Sequence, residues 1–288
     1  MTSGGDQRWY LQAVPASYEA TTPTPVVLDF HGYGEGAELH QDMSDLRTLG
    51  GQEGFITVTP QGLGDPPQWT TTLGSPDLAF VGDLIDQVEA DLCVDTNRVF
   101  STGLSNGARL TSAIACQYGD RIAAAATVSG VRAIDGCEFS RPVPVLAFHG
   151  TADDTVPFEG GLGEGNLDAP APDGSGRPWR DTLTDDEIRE LGAKERPIPE
   201  VMADWAERNG CGADTTEREE ASDVTAVVWD CPADGSTELL RITGGGHTWP
   251  GSTLSQDLVG VLGHTTMTID ADELMWAFFE DHPLSGTG

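Results

Sequence analysis

The chain alternates short apolar runs with longer stretches whose apolar residues recur at helical spacing. That alternation is the pattern of a parallel sheet flanked by helices, because each buried strand must return to the same edge through a crossover packed on the sheet. Runs at 25–30, 55–59, 98–102, 122–128, 143–148, 224–229 and 239–243 are predicted strands. Segments 39–49, 77–92, 199–209 and 270–281 are predicted helices, and another ends at about Tyr118. In the second of these, Leu78, Val81, Leu84, Ile85, Val88 and Leu92 share one helical face. There is no internal repeat, so residues 1–288 are expected to form a single α/β domain around a mostly parallel central sheet. One region breaks the rhythm. Residues 160–197 are rich in Gly, Pro and Asp, with a polar helix predicted near 185–191 and too few large apolar residues for a core of their own. A connection this long inside a compact domain is usually functional or disordered, and here it is expected to be an insertion near the active site.

The strand at 98–102 runs into Gly103-Leu104-Ser105-Asn106-Gly107, and a helix follows. In a chain with 36 glycines, G-x-S-x-G alone is a weak signal. Between a strand and a helix it is the sharp turn that lifts a nucleophilic serine out of a sheet. The helix start also turns backbone N–H groups toward developing negative charge. A serine hydroxyl needs a neighbouring base. His247 follows Gly244-Gly245-Gly246 at the end of a predicted strand, where the sites of open α/β sheets gather. His264 and His282 are expected on the surface, and His40 on a helix without a role. The orienting acid should lie between serine and histidine in the chain. The segment His149-Gly150-Thr151-Ala152-Asp153-Asp154 supplies Asp153, with Asp154 as its rival and His149 as a structural loop residue. Oxyanion donors are expected from the backbone N–H of Asn106 and of Tyr33 in the turn His31-Gly32-Tyr33-Gly34, with His31 as a hydrogen-bonded anchor. These residues define a serine hydrolase of the α/β-hydrolase type.

A formal net charge of −32, with Lys194 the single lysine among 15 basic residues, argues against nucleic acid or anionic lipid as a partner. No run approaches the roughly 18 apolar residues of a membrane span. The acidity reads as a heavily solvated surface, or as adaptation to a salty medium that screens it. Among the five cysteines no pair has zinc-site spacing, and the histidines do not cluster with them, so no metal is expected. Cys116 with Cys137 and Cys211 with Cys231 could pair in an oxidising compartment, leaving Cys93 over; buried free thiols are the alternative.

The same motifs carry a wider resemblance. His31-Gly32-Tyr33-Gly34, Pro60-Gln61-Gly62 with Trp69, Val94-Asp95-Thr96-Asn97-Arg98-Val99 and Gly103-Leu104-Ser105-Asn106-Gly107 are followed by His149-Gly150-Thr151-Ala152-Asp153, Asn209-Gly210-Cys211 and Gly244-Gly245-Gly246-His247-Thr248-Trp249-Pro250-Gly251. In this order, over nearly the whole chain, they resemble the polyhydroxybutyrate depolymerase/feruloyl esterase group, the carbohydrate esterase family 1-like proteins that include the LpqC type. The resemblance implies a secreted, cofactor-free, monomeric esterase whose partner is a polysaccharide-linked or polyester substrate. It implies Ser105, Asp153 and His247 as the triad and Tyr33 and Asn106 as oxyanion donors. It also implies that Trp69 and Trp249 line the cleft, although plain packing would account for either. Two departures stand out: residues 160–197 are longer than the group leads one to expect, and the cysteine near Trp69 that would pair with Cys93 is absent. A peptidase of the same fold and a non-catalytic polysaccharide- or polyester-binding protein are the rival expectations.

Overall fold

The computed structural model describes residues 1–138 and 140–284. The N-terminus forms a small hairpin of β1 (Thr2–Ser3) and β2 (Asp6–Gln7). The main sheet is built from β3 (Tyr10–Ala13), β4 (Thr24–Phe30), β5 (Ile56–Pro60), β6 (Val94–Gly103), β7 (Ala125–Val128), β8 (Val145–Gly150), β9 (Thr215–Ala221), β10 (Val224–Trp229) and β11 (Thr237–Ile242). Its order is β3-β5-β4-β6-β7-β8-β11-β10-β9. From β5 to β11 in that order neighbours pair in parallel, while β3, β10 and β9 join antiparallel at the two edges. The mostly parallel sheet read from the apolar runs is therefore present.

Every residue of β4, β5, β7 and β8 is buried, as expected of parallel strands covered on both faces. The helices are α1 (Ala37–Ser44), α2 (Leu46–Glu53), α3 (Pro76–Asp91), α4 (Asn106–Gln117), the short α5 (Glu164–Asp168), α6 (Asp185–Gly192), α7 (Ile198–Arg208), the short α8 (Thr253–Asp257) and α9 (Val259–Leu262), and α10 (Ala271–Glu280). One face packs Phe100, Phe148 and Val27 against Met275, Trp276 and Phe279 of α10. The other packs Leu28, Phe30 and Val58 against Leu78, Val81 and Leu84 of α3 and Leu110 and Ile114 of α4.

Some expectations need correction. The helix predicted over 39–49 is two helices, because Asp45 takes a left-handed conformation (φ 47°) that ends α1 and redirects the chain into α2. The strand predicted over 98–102 extends to Val94–Gly103, while that predicted over 122–128 starts only at Ala125. Strand β9 had no apolar signal: Thr-Thr-Glu-Arg-Glu-Glu-Ala is an exposed, charged edge, which discourages pairing with another chain. Cys116 is bonded to Cys137 and Cys211 to Cys231, and Cys93 is free and half-buried.

Candidate active site

The sequence of strands places the site. The chain passes from β4 to β5 on one side and then crosses to β6 on the other, so the sheet reverses its winding between β4 and β6. In open parallel sheets the crevice beyond the strand ends at such a reversal is where ligands bind. Beyond β4 lies His31-Gly32-Tyr33-Gly34, and beyond β6 lies Ser105.

Ser105 is one of three non-glycine residues with positive φ (56°) among the described residues, at the junction of β6 and α4. Such backbone is costly for a side chain bearing Cβ and persists only where the surroundings enforce it. The flanking glycines show how. A Cβ on Gly103 would stand 2.5 Å from the Phe30 carbonyl oxygen, and one on Gly107 only 1.9 Å from it. The turn is thus pressed against the end of β4, and no larger residue fits at either glycine. Ser105 N–H donates to Val128 O (2.9 Å) across to β7.

His247 and Asp153 stand beyond two adjacent parallel strands further along the sheet. His247 follows β11, Asp153 follows β8, and His247 Nδ1 donates to Asp153 Oδ2 at 2.8 Å with both groups buried. The second oxygen of Asp153 accepts the N–H groups of Thr155 (2.9 Å) and Val156 (2.8 Å). Burial pushes this carboxyl up, but the imidazole of His247, that of His149 and the backbone donors outweigh it and hold Asp153 below the usual carboxylate range. Asp154, the rival acid, is exposed and has no bond to His247. His149 is fully buried, and its Nε2 donates to Val156 O (2.8 Å), which ties down the loop carrying the acid.

The elbow and the histidine loop meet at Ser129, which donates its backbone N–H to Phe148 O (2.9 Å) and its hydroxyl to Thr248 O (3.5 Å). Gly130 passes so close to the elbow that a Cβ there would stand 2.4 Å from Ser105 O. Ser105 Oγ itself makes no hydrogen bond to His247 in this structure. In unliganded hydrolases that bond is often long and tightens when substrate arrives.

Tyr33 and Asn106 flank the serine. Neither backbone N–H donates to a backbone acceptor. That of Asn106 is the first of α4, where no intrahelical partner exists. Their spacing is fixed by Trp69, whose backbone N–H donates to Asn106 Oδ1 (2.7 Å), whose carbonyl accepts Asn106 Nδ2 (3.1 Å) and whose indole N–H donates to His31 O (3.0 Å).

This corrects the expectation for the two tryptophans. Trp69 and Trp249 are 3% and 1% exposed and do not line the cavity beside Ser105. Trp69 braces the two candidate donor loops against each other. Trp249 donates its indole N–H to Asp272 (2.9 Å) and fixes the histidine loop to α10. The cavity beside Ser105 has a volume of ≈ 200 Å³ and is lined instead by Tyr33, Arg109, Leu162, Trp179 and Leu191. Three of these lie within 160–197, a segment whose low apolar content hid Trp179 and Leu191 as contact residues. The segment is pinned to the rim by Tyr33 Oη donating to Pro170 O (2.8 Å) and by Arg109, both of whose terminal nitrogens donate to Glu195 at 3.0 Å.

Among the described residues no cluster of His, Cys, Asp or Glu could hold a metal ion, and no helix is long and apolar enough to cross a membrane.

A mostly parallel sheet reversing at β4/β6, with a strained serine at the reversal and an Asp–His pair beyond β8 and β11, is the α/β-hydrolase fold. No family model matches it. Over 94% of its length it superposes on 93% of an acetyl xylan esterase from Aspergillus awamori with a TM-score of 0.61 at 17% identity, a likeness of fold. In sequence it is 31% identical over 161 residues, 54% of the chain, to a probable feruloyl esterase C of Aspergillus niger. It is 25% identical over 255 residues, 85% of the chain, to feruloyl esterase B of Piromyces equi. In sequence the chain is thus similar to feruloyl esterases, and in fold to an acetyl xylan esterase. The matches span 58% and 43% of those two relatives' own lengths.

Proposed function

We propose that the protein is a serine carboxylic-ester hydrolase acting on feruloyl or acetyl esters of polysaccharides, with Ser105 as nucleophile, His247 as base and Asp153 as the residue that orients the base. The observation that carries this reading is the buried 2.8 Å bond from His247 Nδ1 to Asp153, two strand ends along the rim from the strained Ser105 turn. With Nδ1–H committed to the carboxylate, Nε2 is the free lone pair that takes the serine proton. Ser105 Oγ then attacks the ester carbonyl, and the oxyanion of the tetrahedral intermediate accepts hydrogen bonds from Tyr33 N–H and Asn106 N–H. His247 returns the proton to the departing alcohol, leaving an acyl-serine. Water attacks the acyl carbonyl with the same base and donors and releases the acid.

Residues 160–197 are an insertion into a single domain that walls the acyl or alcohol side of the cleft, supported by Leu162, Trp179 and Leu191 in the cavity beside Ser105. The enzyme works as a secreted monomer; secretion is supported by the two disulfides, which persist in oxidising compartments. The test is hydrolysis of p-nitrophenyl acetate by Ser105→Ala, expected to fall to background with the melting transition retained. Wild-type activity in that variant overturns the assignment. Methyl ferulate, acetylated xylan and short polyester oligomers assayed side by side then set the substrate class; a polyester preferred over both carbohydrate-type esters contradicts the polysaccharide reading. An anilide cleaved as fast as its matching ester would make the enzyme a peptidase.

A further inference from the structure

Behind the loop that carries the Tyr33 N–H lies a buried group of charges with no part in the mechanism above. Asp29 is the penultimate residue of β4, His40 stands in the middle of α1, and Glu35 lies on the turn between them; His40 and Asp29 are 0% and 1% exposed. His40 Nε2 donates to Asp29 Oδ1 at 2.6 Å, and its Nδ1 stands 3.2 Å from Glu35 Oε2. Ser44, one turn further along α1, donates its hydroxyl to the other oxygen of Asp29 (2.7 Å). The ring of Trp249, from the histidine loop, packs edge-on to His40 with centroids 5.5 Å apart. Burial acts to discharge the imidazole, but the two carboxylates overcome it and raise His40 to about 10, so it is a buried cation held between two anions.

The end of this chain of charges is a backbone group. Glu35 Oε2 accepts the N–H of Gly32 at 2.6 Å, while the other oxygen of Glu35 is buried without a hydrogen-bond partner. The peptide that follows, Gly32–Tyr33, carries the candidate oxyanion donor. Its plane is fixed from the carbonyl end too: His31 Nδ1 donates to Gly32 O (2.6 Å), and Glu35 N–H reaches the same oxygen (3.3 Å). His31 Nε2 meanwhile accepts Gly62 N–H (2.9 Å), so the ring is neutral with its proton on Nδ1. In a planar trans peptide the N–H points opposite to the C=O. Holding Gly32 O toward His31 therefore turns Tyr33 N–H the other way, and Ser105 stands close by: a Cβ on Gly32 would lie 3.6 Å from Ser105 Cβ.

The geometry points to Glu35 as a positioning residue for acyl transfer: held by the buried His40–Asp29 pair, it clamps Gly32 and so aims the Tyr33 N–H at the oxyanion. A donor preset in this way acts on the transition state rather than on the bound ester, so its loss shows in kcat and leaves KM nearly unchanged. This rests on Ser105 and Tyr33 having the roles proposed above.

The test compares Glu35→Ala, Glu35→Asp and Glu35→Gln with Ser105→Ala on p-nitrophenyl acetate, with a melting curve for each. Glu35→Ala should lose kcat by about 10- to 100-fold, less than or near the loss seen when a whole oxyanion donor is removed, with KM within about threefold. Glu35→Gln keeps an acceptor at the same reach and should recover most of kcat. Should Glu35→Ala give no cooperative melt, Glu35→Asp decides. It retains the charge beside His40 but is too short to reach Gly32, and the same kcat loss is expected. A folded Glu35→Ala or Glu35→Asp enzyme with kcat within twofold of wild type overturns the inference, as does a loss confined to KM. If Ser105→Ala also remains active, the fault lies with the nucleophile assignment; if it is inactive, only the clamp falls.

Discussion

The rim of the sheet and the segment 160–197 face each other across the same cavity, yet they are held in place by different means. Ser105, Asp153 and His247 sit on the ends of buried parallel strands, and Asp153 is locked by bonds to Thr155, Val156 and His247. The facing segment is tied to the rim by the ion pair Arg109–Glu195 and the bond Tyr33–Pro170, and within itself by the exposed pair Arg180–Glu164. Exposed pairs of the last kind hold little and are screened by salt. The lesson is a division of labour. The proposed triad is anchored on the core strands, whereas the facing wall of the cavity comes from a segment tied to the rim by a few side-chain contacts.

Three outcomes would break or sharpen that contrast. The largest is expected at the rim. Asp153→Asn preserves the size of the side chain but presents an amide N–H to His247 Nδ1, which turns the imidazole into the wrong tautomer. Its kcat should fall by about 10⁴-fold with the fold intact, measured by p-nitrophenyl acetate turnover and a melting curve. A fall of less than tenfold would mean that the rim is not the seat of the chemistry.

The second concerns the segment. Glu195 and Val156 separate the cavity beside Ser105 from a neighbouring hollow of ≈ 310 Å³ lined by Arg132, Lys194 and Arg208. Glu195→Ala should join the two, raising kcat/KM for long-chain relative to acetyl p-nitrophenyl esters by about tenfold, the scale on which a few methylenes are discriminated. An unchanged ratio would remove the segment from selectivity. A collapse of activity toward acetyl esters as well would place it in the catalytic machinery and blur the contrast.

The smallest is a pH effect at the rim. His40 is raised to about 10 in the folded protein, against about 6.5 for an unperturbed histidine. Below pH about 6.5 the folded and unfolded chains both hold this proton and the stabilisation is fully present. Between about 6.5 and about 10 the folded state binds more protons than the unfolded one, so stability falls as pH rises. The buried carboxyl of Asp272, pushed up first by burial and then by Asp270, acts in the same direction. A urea-denaturation series at high salt, where repulsion among surface carboxylates is screened, should show the midpoint declining through this window. A flat profile would mean that His40 is not a buried cation.

Much of the rim was legible in the sequence because its constraints are local. Gly103 and Gly107 are glycines because Phe30 O stands where a Cβ would be, and the strand, the turn and the helix around Ser105 each leave a mark within a few residues. Asp153 and His247 could be placed by chain order and by the loops after two apolar runs. What escaped depends on distant packing. Nothing near Trp69 or Trp249 reveals that their rings face inward as braces, and an aromatic residue beside a motif reads equally well as a cleft wall. Trp179 lies in a polar stretch without periodicity, and only the folded segment brings it to the cavity. His40 looked idle because Asp29, 11 residues earlier, and Glu35 acquire meaning only when α1 packs against β4. The break at Asp45 and the charged edge strand β9 are hidden for a related reason: neither changes the apolar pattern of the sequence.

The most direct test of the whole account is to treat the protein with a p-nitrophenyl organophosphate and locate the adduct by peptide mass spectrometry. The account predicts one adduct per chain, on Ser105, formed together with the loss of esterase activity and strongly slowed in His247→Ala. Full inactivation with the adduct on another residue, or labelling of Ser105 at an unchanged rate without His247, would contradict it.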